Sequence, residues 1–481
     1  MKPLLNERLS RFESPFRRLD ALLAGITPNP QFLPIVMSVG EPQDAPPSWL
    51  ADSVAAHAHE WNRYPPAIGT PEFRHAARGY VERRYPGTRN RIDPDAEISP
   101  VTSTREGLYL AASIATSPSR NSPIALMQNP FYQTYRAAAI MAGAEPRYLL
   151  HNGFPSFAID FTDVDEAALA QTSVLYLCSP SNPDGNEIAA ETMRRAIETA
   201  RRHNFLVVFD ECYAELYDGV PPGGALDVLA AIDGSARWLD NVLVLHSLSK
   251  RSSAAGMRSG FAVGSRDVLA ALNRVRLNGT ACTPLPLLAA ATALWSEDTH
   301  VQAMRERLSA RKDTADRLLG RHPGYYRPPC GFFLWMRAGD GVELTRRLWR
   351  DFALKVLPGA YLTQAGPDGA NDGDDYIRVA LVHDPETTSE GLMRLARALG
   401  LDASSEVAAA SNGNGVQAVP LSRTRLSAAI TFSGPTAKPD RIPAALERFD
   451  SEWRTSTLSS QRAEPSIAAR TSSAPPGGWP S

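Results

Sequence analysis

The chain has few cysteines, no long apolar run and no excess of one charge. Its four cysteines, Cys178, Cys212, Cys282 and Cys330, form no C-x-x-C pair, which argues against a disulfide framework or a zinc site. The longest apolar run, at about 284–295, is too short for a membrane span, and the N-terminus lacks the apolar core of a secretory signal. A net charge of −2 argues against a nucleic-acid binder. We therefore expect a cytoplasmic protein with no metal, membrane or nucleic-acid partner.

What is present is ordinary for a soluble globular protein. The 481 residues are 43% apolar and 21% charged, and this length allows two or three domains with large cores. We predict an N-terminal arm at 1–45, a large domain at 46–299, a small domain at 300–400 and a tail at 401–481. The tail is rich in Ser, Ala, Pro and Gly, so we expect it to be largely disordered, with one weak helix near Ile442–Trp453.

Short apolar runs alternate with longer helical patterns between about 100 and 265. The run at 188–203 has helical spacing, and another helical pattern covers about 283–320. Near-continuous apolar strands separated by helices predict an α/β fold with a mostly parallel sheet that helices cover on both faces. The predicted strands are Ile124–Met127, Val174–Cys178, Leu206–Asp210, Val242–His246 and Phe261–Gly264.

Polar residues follow the ends of these strands. In open α/β sheets, ligands bind beyond the carboxyl ends of the strands, where Cys178, Asp210 and His246 stand. We expect Cys178 and Cys212 to be buried free thiols.

Lys250 lies a few residues after one of these strands, between hydroxyls and an arginine. Ser247 and Ser249 precede it, Arg258 follows it, and Asp210 stands at an earlier strand end. A lysine after a strand is usually a solvated loop residue, and an aspartate there is often a helix cap. The ordered set instead suits a pocket for pyridoxal 5′-phosphate (PLP): the lysine bonds the aldehyde, the hydroxyls and arginine hold the phosphate, and the aspartate pairs with the pyridine nitrogen.

With these residues in place, residues 30–400 resemble a class I/II, fold-type I PLP-dependent aminotransferase, and most resemble proteobacterial N-succinyl-L,L-diaminopimelate aminotransferases. The resemblance implies a large domain with a mostly parallel sheet and a smaller α/β domain. The runs that carry it are Ser38-Val-Gly-Glu-Pro42, Tyr64-Pro-Pro-Ala-Ile-Gly-Thr-Pro71, Asn129-Pro-Phe-Tyr-Gln-Thr-Tyr135, Cys178-Ser-Pro-Ser-Asn-Pro-Asp-Gly185, Asp210-Glu-Cys-Tyr213 and His246-Ser-Leu-Ser-Lys-Arg251.

The resemblance assigns catalytic roles to Lys250, Asp210 and Tyr213. Lys250 would be the Schiff-base lysine and the general acid/base, and Asp210 would keep the pyridine ring protonated. Asn182 and Tyr213 would bind the cofactor's 3′-oxygen, and Tyr132 would stack on the ring.

The resemblance also implies a phosphate site and a dimer. The phosphate contacts would be Ser103, Thr104 and Arg105 at a helix start, together with Ser247, Ser249 and Arg258. Similar enzymes usually carry glycine where this chain has Ser103, and we expect the serine to be tolerated. Tyr64 would reach the phosphate of a neighbouring subunit, which implies a homodimer.

Three positions are implied for the substrate. Arg378 would bind the α-carboxylate as a bidentate pair, Asn182 would lie beside it, and the backbone of Gly40 would lie against the substrate. His383 stands where a small residue is more usual, and we expect it to pair with Asp384 in a surface turn. Residues 331–335 fit a small-domain strand beside the pocket.

The resemblance therefore implies reversible transamination. Glutamate would be the amino donor, and N-succinyl-2-amino-6-ketopimelate, on the route to lysine, would be the acceptor. One alternative is another enzyme of this fold, namely an aspartate or aromatic aminotransferase or a β-lyase. A PLP-binding regulator and a catalytically weakened homologue are the alternatives of other classes; the regulator is disfavoured because the aminotransferase pattern begins by about residue 35.

The composition of the tail generates a testable prediction. Deleting residues 402–481 should leave transaminase turnover intact, because no chemical residue of the predicted site lies there. The measurement is the steady-state rate of the truncated chain beside that of the full chain. A truncated protein that folds and binds PLP but has lost turnover would refute this.

Overall fold

The structure is a computed structural model that describes residues 4–149, 161, 164–366 and 368–401. The tail after Leu401 and the weak helix predicted at 442–453 lie outside the described residues. The described strands are β1 (Ile35–Val36), β2 (Ile98–Val101), β3 (Ile124–Gln128), β4 (Glu145–Leu149), β5 (Thr172–Cys178), β6 (Leu206–Asp210), β7 (Val242–Ser247), β8 (Gly260–Gly264), β9 (Phe333–Arg337), β10 (Leu354–Lys355), β11 (Leu357–Pro358) and β12 (Tyr376–Ala380).

The helices lie between these strands along the chain, singly or in groups of two or three, with one before the first strand and one after the last. They are α1 (Pro15–Leu23), α2 (Leu50–Ala56), α3 (Pro71–Arg84), α4 (Thr104–Ala115), α5 (Gln133–Ala142), α6 (Glu166–Gln171), α7 (Ala190–His203), α8 (Ala225–Ile232), α9 (Leu248–Arg251), α10 (Arg266–Gly279), α11 (Leu285–Ser296), α12 (Thr299–Leu319), α13 (Gly341–Phe352) and α14 (Pro385–Ala398). None of the helices in the described part of the chain is long and apolar enough to cross a bilayer.

A seven-stranded sheet forms the centre of the large domain. Its strand order is β2-β8-β7-β6-β5-β3-β4. The five strands from β7 to β4 are parallel, and β8 runs antiparallel to both its neighbours. The α/β fold with a mostly parallel sheet is confirmed, and each of the five predicted strands is present with ends that differ by at most two residues.

The apolar strands are buried on both faces of this sheet, as their sequences predict. In β5, Leu175 and Leu177 belong to the core on one face, whereas Val174 and Tyr176 belong to the core on the other. Successive side chains of a strand point to opposite faces, so a strand covered on both sides must be apolar at every position.

A second, smaller sheet has its own core. Strands β11, β12 and β9 form an antiparallel sheet, and β1 pairs with β10 in parallel. Met37, Leu334 and Ile377 are buried in a core that also includes residues of α12, α13 and α14. The run at 331–335 contributes to β9, as predicted. The four domain boundaries stay a prediction.

Two local expectations are corrected. The helical pattern at 283–320 is divided into α11 and α12 by Glu297 and Asp298. There Glu297 Oε2 accepts from the backbone N–H of Thr299 (2.7 Å), the first residue of α12, and Asp298 bonds Arg83 (Nε–Oδ2 2.9 Å) and Arg251. His383 does not pair with Asp384. Its ring bonds the carbonyl of Val36 (2.7 Å), while Asp384 caps α14 by accepting from the backbone N–H of Thr387 (2.8 Å).

Candidate active site

The carboxyl ends of the neighbouring strands β5, β6 and β7 bring three predicted residues to one edge of the large sheet. Cys178 ends β5 and lies opposite Asp210, which ends β6; Ser247 ends β7. The hydroxyl of Ser247 accepts from the backbone N–H of Ser249 (3.1 Å) and so caps the start of the short helix α9. That turn directs Lys250 back towards the strand ends.

A cavity of about 450 Å³ lies at this edge, within the size range of small-molecule and cofactor sites. Every predicted site residue except Tyr64 lines it. These residues are Gly40, Ser103, Thr104, Arg105, Tyr132, Asn182, Asp210, Tyr213, Ser247, Ser249, Lys250, Arg258 and Arg378. Tyr64 is fully exposed and does not line the cavity of its own chain.

Lys250 reaches across the cavity to the N-terminal segment. Its Nζ donates a hydrogen bond to the carbonyl of Gly40. Burial lowers the pKa of the Lys250 amine below its ordinary value. A β-carbon at position 40 would lie 2.2 Å from Cζ of Phe333, so glycine is required for this close approach. The amine is thus held in place and is more easily deprotonated than an exposed lysine.

Asp210 is a buried carboxylate held by neutral donors. The Tyr135 hydroxyl donates to Oδ2 (2.9 Å), and the backbone N–H of Cys212 donates to Oδ1 (3.3 Å). Burial raises the pKa of Asp210, and these two bonds act in the opposite direction. Asp210 forms no salt bridge with any described side chain, so it can accept a cationic partner from a ligand.

The part of the cavity wall at the start of helix α4 suits a phosphate. Helix α4 begins at Thr104, directly after the buried Ser103, and the first N–H groups of a helix attract anions. Ser247 and Arg258 line the same cavity. Ser103 has an extended backbone with a positive φ (φ 158°, ψ 164°), and the tolerance of a serine at this position stays a prediction.

Arg378 is buried near Lys250, and no carboxylate among the described residues forms an ion pair with it. It donates to Asn182 Oδ1 (3.0 Å) and to the carbonyl of Ser38 (2.8 Å), and its guanidinium carbon lies 4.1 Å from the ring centre of Phe333. Its Nε has no hydrogen-bond partner in the described part of the chain. Burial lowers the pKa of Arg378 to about 10. Since a buried guanidinium gains from a paired anion, this position fits a substrate carboxylate.

Aromatic residues complete the walls. Tyr132 stands before α5, and its hydroxyl accepts from Arg105 Nε (2.9 Å). Tyr213 is buried, with its ring 5.7 Å from that of Phe332 and 6.1 Å from that of Phe333. Both tyrosines line the cavity as the sequence predicts.

The analysis of the sequence assigned no role in the site to Tyr135, which bonds Asp210, or to Phe16 and Cys212 in the cavity wall. Tyr135 could have been found, because it follows Tyr132 by three residues at the start of a helix and so lies on the same side. Phe16 stands on α1, far away in sequence, and no local pattern marks it.

A buried polar pair lies just behind the site. Glu211 follows Asp210, and its Oε2 is 3.6 Å from Nε2 of His246, which precedes Ser247. Burial raises the pKa of Glu211 to about 7 and lowers that of His246 to about 3. The imidazole is therefore neutral near pH 7, and the contact is not a salt bridge. Glu211 is also bonded by the Tyr85 hydroxyl and by the backbone N–H of Ala225 (2.7 Å).

Comparison with known proteins gives the family. The model of aminotransferase class I and II matches residues 34–395, so the chain belongs to that family. Members of this family depend on PLP, and the chain is accordingly a PLP-dependent aminotransferase.

Individual relatives point to several substrates. The chain is 31% identical over 364 residues to the 4-dedimethylamino-4-oxo-anhydrotetracycline transaminase OxyQ of Streptomyces rimosus (75% of this chain, 92% of the relative). It is 28% identical over 371 residues to the LL-diaminopimelate aminotransferase of Dehalococcoides mccartyi (75% and 90%). A crystal structure of an aminotransferase from Neisseria meningitidis superimposes with a TM-score of 0.77 at 31% identity (82% and 99%). The resemblance to the N-succinyl branch stays a prediction.

The residues present fit the cofactor. Asp210 offers an unpaired carboxylate for the pyridine nitrogen, Lys250 an amine for the aldehyde, and the start of α4 with Ser247 and Arg258 a place for the phosphate. Among the described residues, no group of three or more His, Cys, Asp or Glu side chains is placed to hold a metal ion.

The bond between Tyr135 and Asp210 generates a prediction. Tyr135→Phe should weaken PLP binding roughly 10-fold, because a lost hydrogen bond to a charged group costs on the order of one tenfold step in affinity. Without that donor, the pKa of the buried Asp210 rises further. The measurement is an absorbance titration of the cofactor-free protein with PLP.

Tyr148→Phe is the matched control, because the Tyr148 hydroxyl is buried and has no hydrogen-bond partner among the described residues. It should bind PLP as the unaltered protein does. Equal PLP affinity of Tyr135→Phe and the unaltered protein would show that Tyr135 does not support Asp210.

Proposed function

We propose that this aminotransferase moves an amino group between glutamate and N-succinyl-2-amino-6-ketopimelate, a step towards lysine through diaminopimelate. The observation that carries the reaction type is the buried Arg378, which lines the same cavity as Lys250 and has an unpaired Nε. The N-succinyl substrate rests on the resemblance of the motif runs alone.

Arg378 would orient the substrate. A carboxylate paired with its guanidinium would satisfy the buried charge, and the bond to Asn182 and the ring of Phe333 fix the plane of the guanidinium. The Cα–H of a bound amino acid would then face the interior of the cavity, where Lys250 stands.

Lys250 would move the proton. When bound, PLP supplies an electron-accepting ring that stabilises negative charge at the substrate Cα. The lowered pKa of the Lys250 amine favours the neutral form that can accept a proton at Nζ. Asp210, whose charged form the hydrogen bond from Tyr135 favours, would hold a proton on the ring nitrogen.

Free LL-diaminopimelate is the second candidate substrate. The relative from Dehalococcoides mccartyi is named for it, and so is an enzyme of Aquifex aeolicus that is 25% identical over 370 residues. An aspartate or aromatic aminotransferase and a β-lyase share the same core residues, so substrate half-reactions must separate these activities.

The test is an absorbance spectrum followed by half-reactions. With bound PLP we expect a band near ~420 nm that shifts to ~330 nm with glutamate and with N-succinyl-diaminopimelate, and that is absent in Lys250→Ala. If the band shifts with glutamate and free LL-diaminopimelate but not with the N-succinyl compound, the proposed substrate is wrong and free LL-diaminopimelate takes its place. No band with added PLP would indicate a degenerate homologue.

We also propose that the active unit is a homodimer in which Tyr64 completes the neighbour's phosphate site. Tyr64 is fully exposed, and Trp61, Ile68, Tyr109 and Leu277 are further large exposed apolar residues. The proposal requires these side chains to belong to one contiguous apolar surface, which is the kind of surface that a partner covers.

Mixed dimers test this arrangement. Tyr64→Ala alone should lower PLP affinity, because the phosphate loses a hydrogen bond. When Tyr64→Ala subunits are co-expressed with Lys250→Ala subunits, one site of each mixed dimer combines an intact Lys250 with an intact Tyr64. In the mixed dimers, separated from the unmixed ones, one of the two sites should then regain normal PLP affinity. A monomer in sedimentation, or mixed dimers without recovery, would contradict the proposal.

A further inference from the structure

The residue after Lys250, Arg251, belongs to the same short helix but does not line the cavity. Its side chain is buried. Successive residues of a helix point roughly 100° apart, so Lys250 can face the cavity while Arg251 enters the core. Whatever holds the side chain of Arg251 therefore also fixes the end of the turn that carries Lys250.

The guanidinium of Arg251 is bound to the end of helix α11. Its Nη1 donates to the carbonyl of Leu294 (2.8 Å), its Nη2 donates to the carbonyl of Glu297 (2.9 Å), and Nη2 also pairs with Asp298. The last carbonyls of a helix lack partners within the helix, so a cation with several donors in a fixed fork suits them.

Two aromatic rings restrict the same side chain. The guanidinium carbon lies 5.2 Å from the ring centre of Tyr80 and 5.2 Å from that of Trp295, within the range of cation–π attraction. Both rings are buried in the core on one face of the large sheet. Arg251 is accordingly a fixed link between α9 and the end of α11.

The end of α11 is also where the chain passes from one core to the other. Helix α11 contributes Leu288 and Leu294 to the core of the large sheet, whereas α12 contributes Val301 and Leu308 to the core of the small sheet. Leu308 and Lys250 line one small cavity. Arg251 thus holds the turn of Lys250 against the junction at which its neighbouring helix α12 begins.

We propose that Arg251 is a positioning residue that fixes the reach of the Lys250 amine into the cavity. A helix of four residues does not hold its own conformation, so α9 depends on its contacts. Ser247 caps its start, and Arg251 anchors its end. An amine displaced by about 1 Å reacts far more slowly. The proposal rests on the proposed role of Lys250 in bonding the cofactor and moving the proton.

The first test compares PLP with pyridoxamine 5′-phosphate, whose amine replaces the aldehyde and cannot bond a lysine. Fluorescence titrations of the cofactor-free protein measure both affinities. Arg251→Met should lower the affinity for PLP roughly 10-fold and leave that for pyridoxamine 5′-phosphate unchanged, because Lys250 bonds only the aldehyde. Arg251→Lys keeps the charge and should show the same selective loss to a smaller degree, which tests the proposal even if Arg251→Met does not fold.

Arg83→Met is the matched control. Arg83 also donates to Asp298 (Nε–Oδ2 2.9 Å) and to the carbonyl of Trp295 (2.8 Å), but it stands on α3. Its removal therefore weakens the same end of α11 without touching α9. We expect Arg83→Met to bind both cofactor forms as the unaltered protein does.

A double variant shows whether Arg251 acts through Lys250. In a Lys250→Ala background, Arg251→Met should lower the affinity for PLP no further, because the group that it positions is gone. An additive loss there would assign Arg251 to the fold of the pocket instead and overturn the proposal. So would an equal loss of affinity for both cofactor forms, or the same selective loss in Arg83→Met.

Turnover gives a second readout. In single turnovers of the PLP-loaded enzyme with glutamate, Arg251→Met should lower the maximal rate roughly 10- to 100-fold, because proton transfer by Lys250 slows. The glutamate concentration at half-maximal rate should stay the same, since Arg378 is unaltered. Deuterium at the glutamate Cα should slow the variant more than the unaltered enzyme. A raised half-maximal concentration with an unchanged rate would contradict the proposal.

Failure of the proposed function gives different results. If the unaltered protein bonds PLP through Lys250 but its band shifts with no amino acid, the proposed function is wrong, and the two cofactor affinities still decide the role of Arg251. If Lys250→Ala binds PLP as tightly as the unaltered protein, Lys250 does not bond the cofactor and both proposals are wrong.

Discussion

The burial of Asp210 is the constraint on which the rest of the site depends. A carboxylate in a dry position tends to take up a proton, and here burial raises its pKa. The Tyr135 hydroxyl and the backbone N–H of Cys212 oppose that tendency by donating to the two carboxylate oxygens. In the proposed function, a charged Asp210 would hold a protonated pyridine ring, on which the proton transfer by Lys250 would depend.

Local sequence predicted the strands and most of the site because the same physical cause produces both. Strands buried on two faces must be apolar throughout, so their first polar residue marks the strand end, as Asp210 does for β6. Ligands bind at such ends in parallel sheets, so the strand pattern also located the cavity. All the residues expected from the strand ends and the motif runs, except Tyr64, line one cavity.

The sequence could not predict contacts between segments that are far apart in the chain. Phe16 enters the cavity wall from α1, and His383 bonds Val36 across more than 300 residues rather than its neighbour Asp384. Asp384 instead forms the N-cap of α14. The local sequence is equally compatible with this role, because aspartate is a favoured N-cap residue. Patterns of side-chain type reveal which residues are polar, but not which of several nearby partners each one takes.

The buried pair behind the site stands at the ends of the same two strands that carry Asp210 and Ser247. Glu211 adjoins Asp210 at the end of β6, and His246 lies within β7, four residues before Lys250. Their contact is buried between Tyr80, Tyr85 and Phe261, whose rings pack around the imidazole. Because the imidazole is neutral, the contact adds no second positive charge beside Lys250. Glu211 is held by the Tyr85 hydroxyl and the backbone N–H of Ala225, so the two polar side chains can be buried behind the strand ends without an ion pair between them.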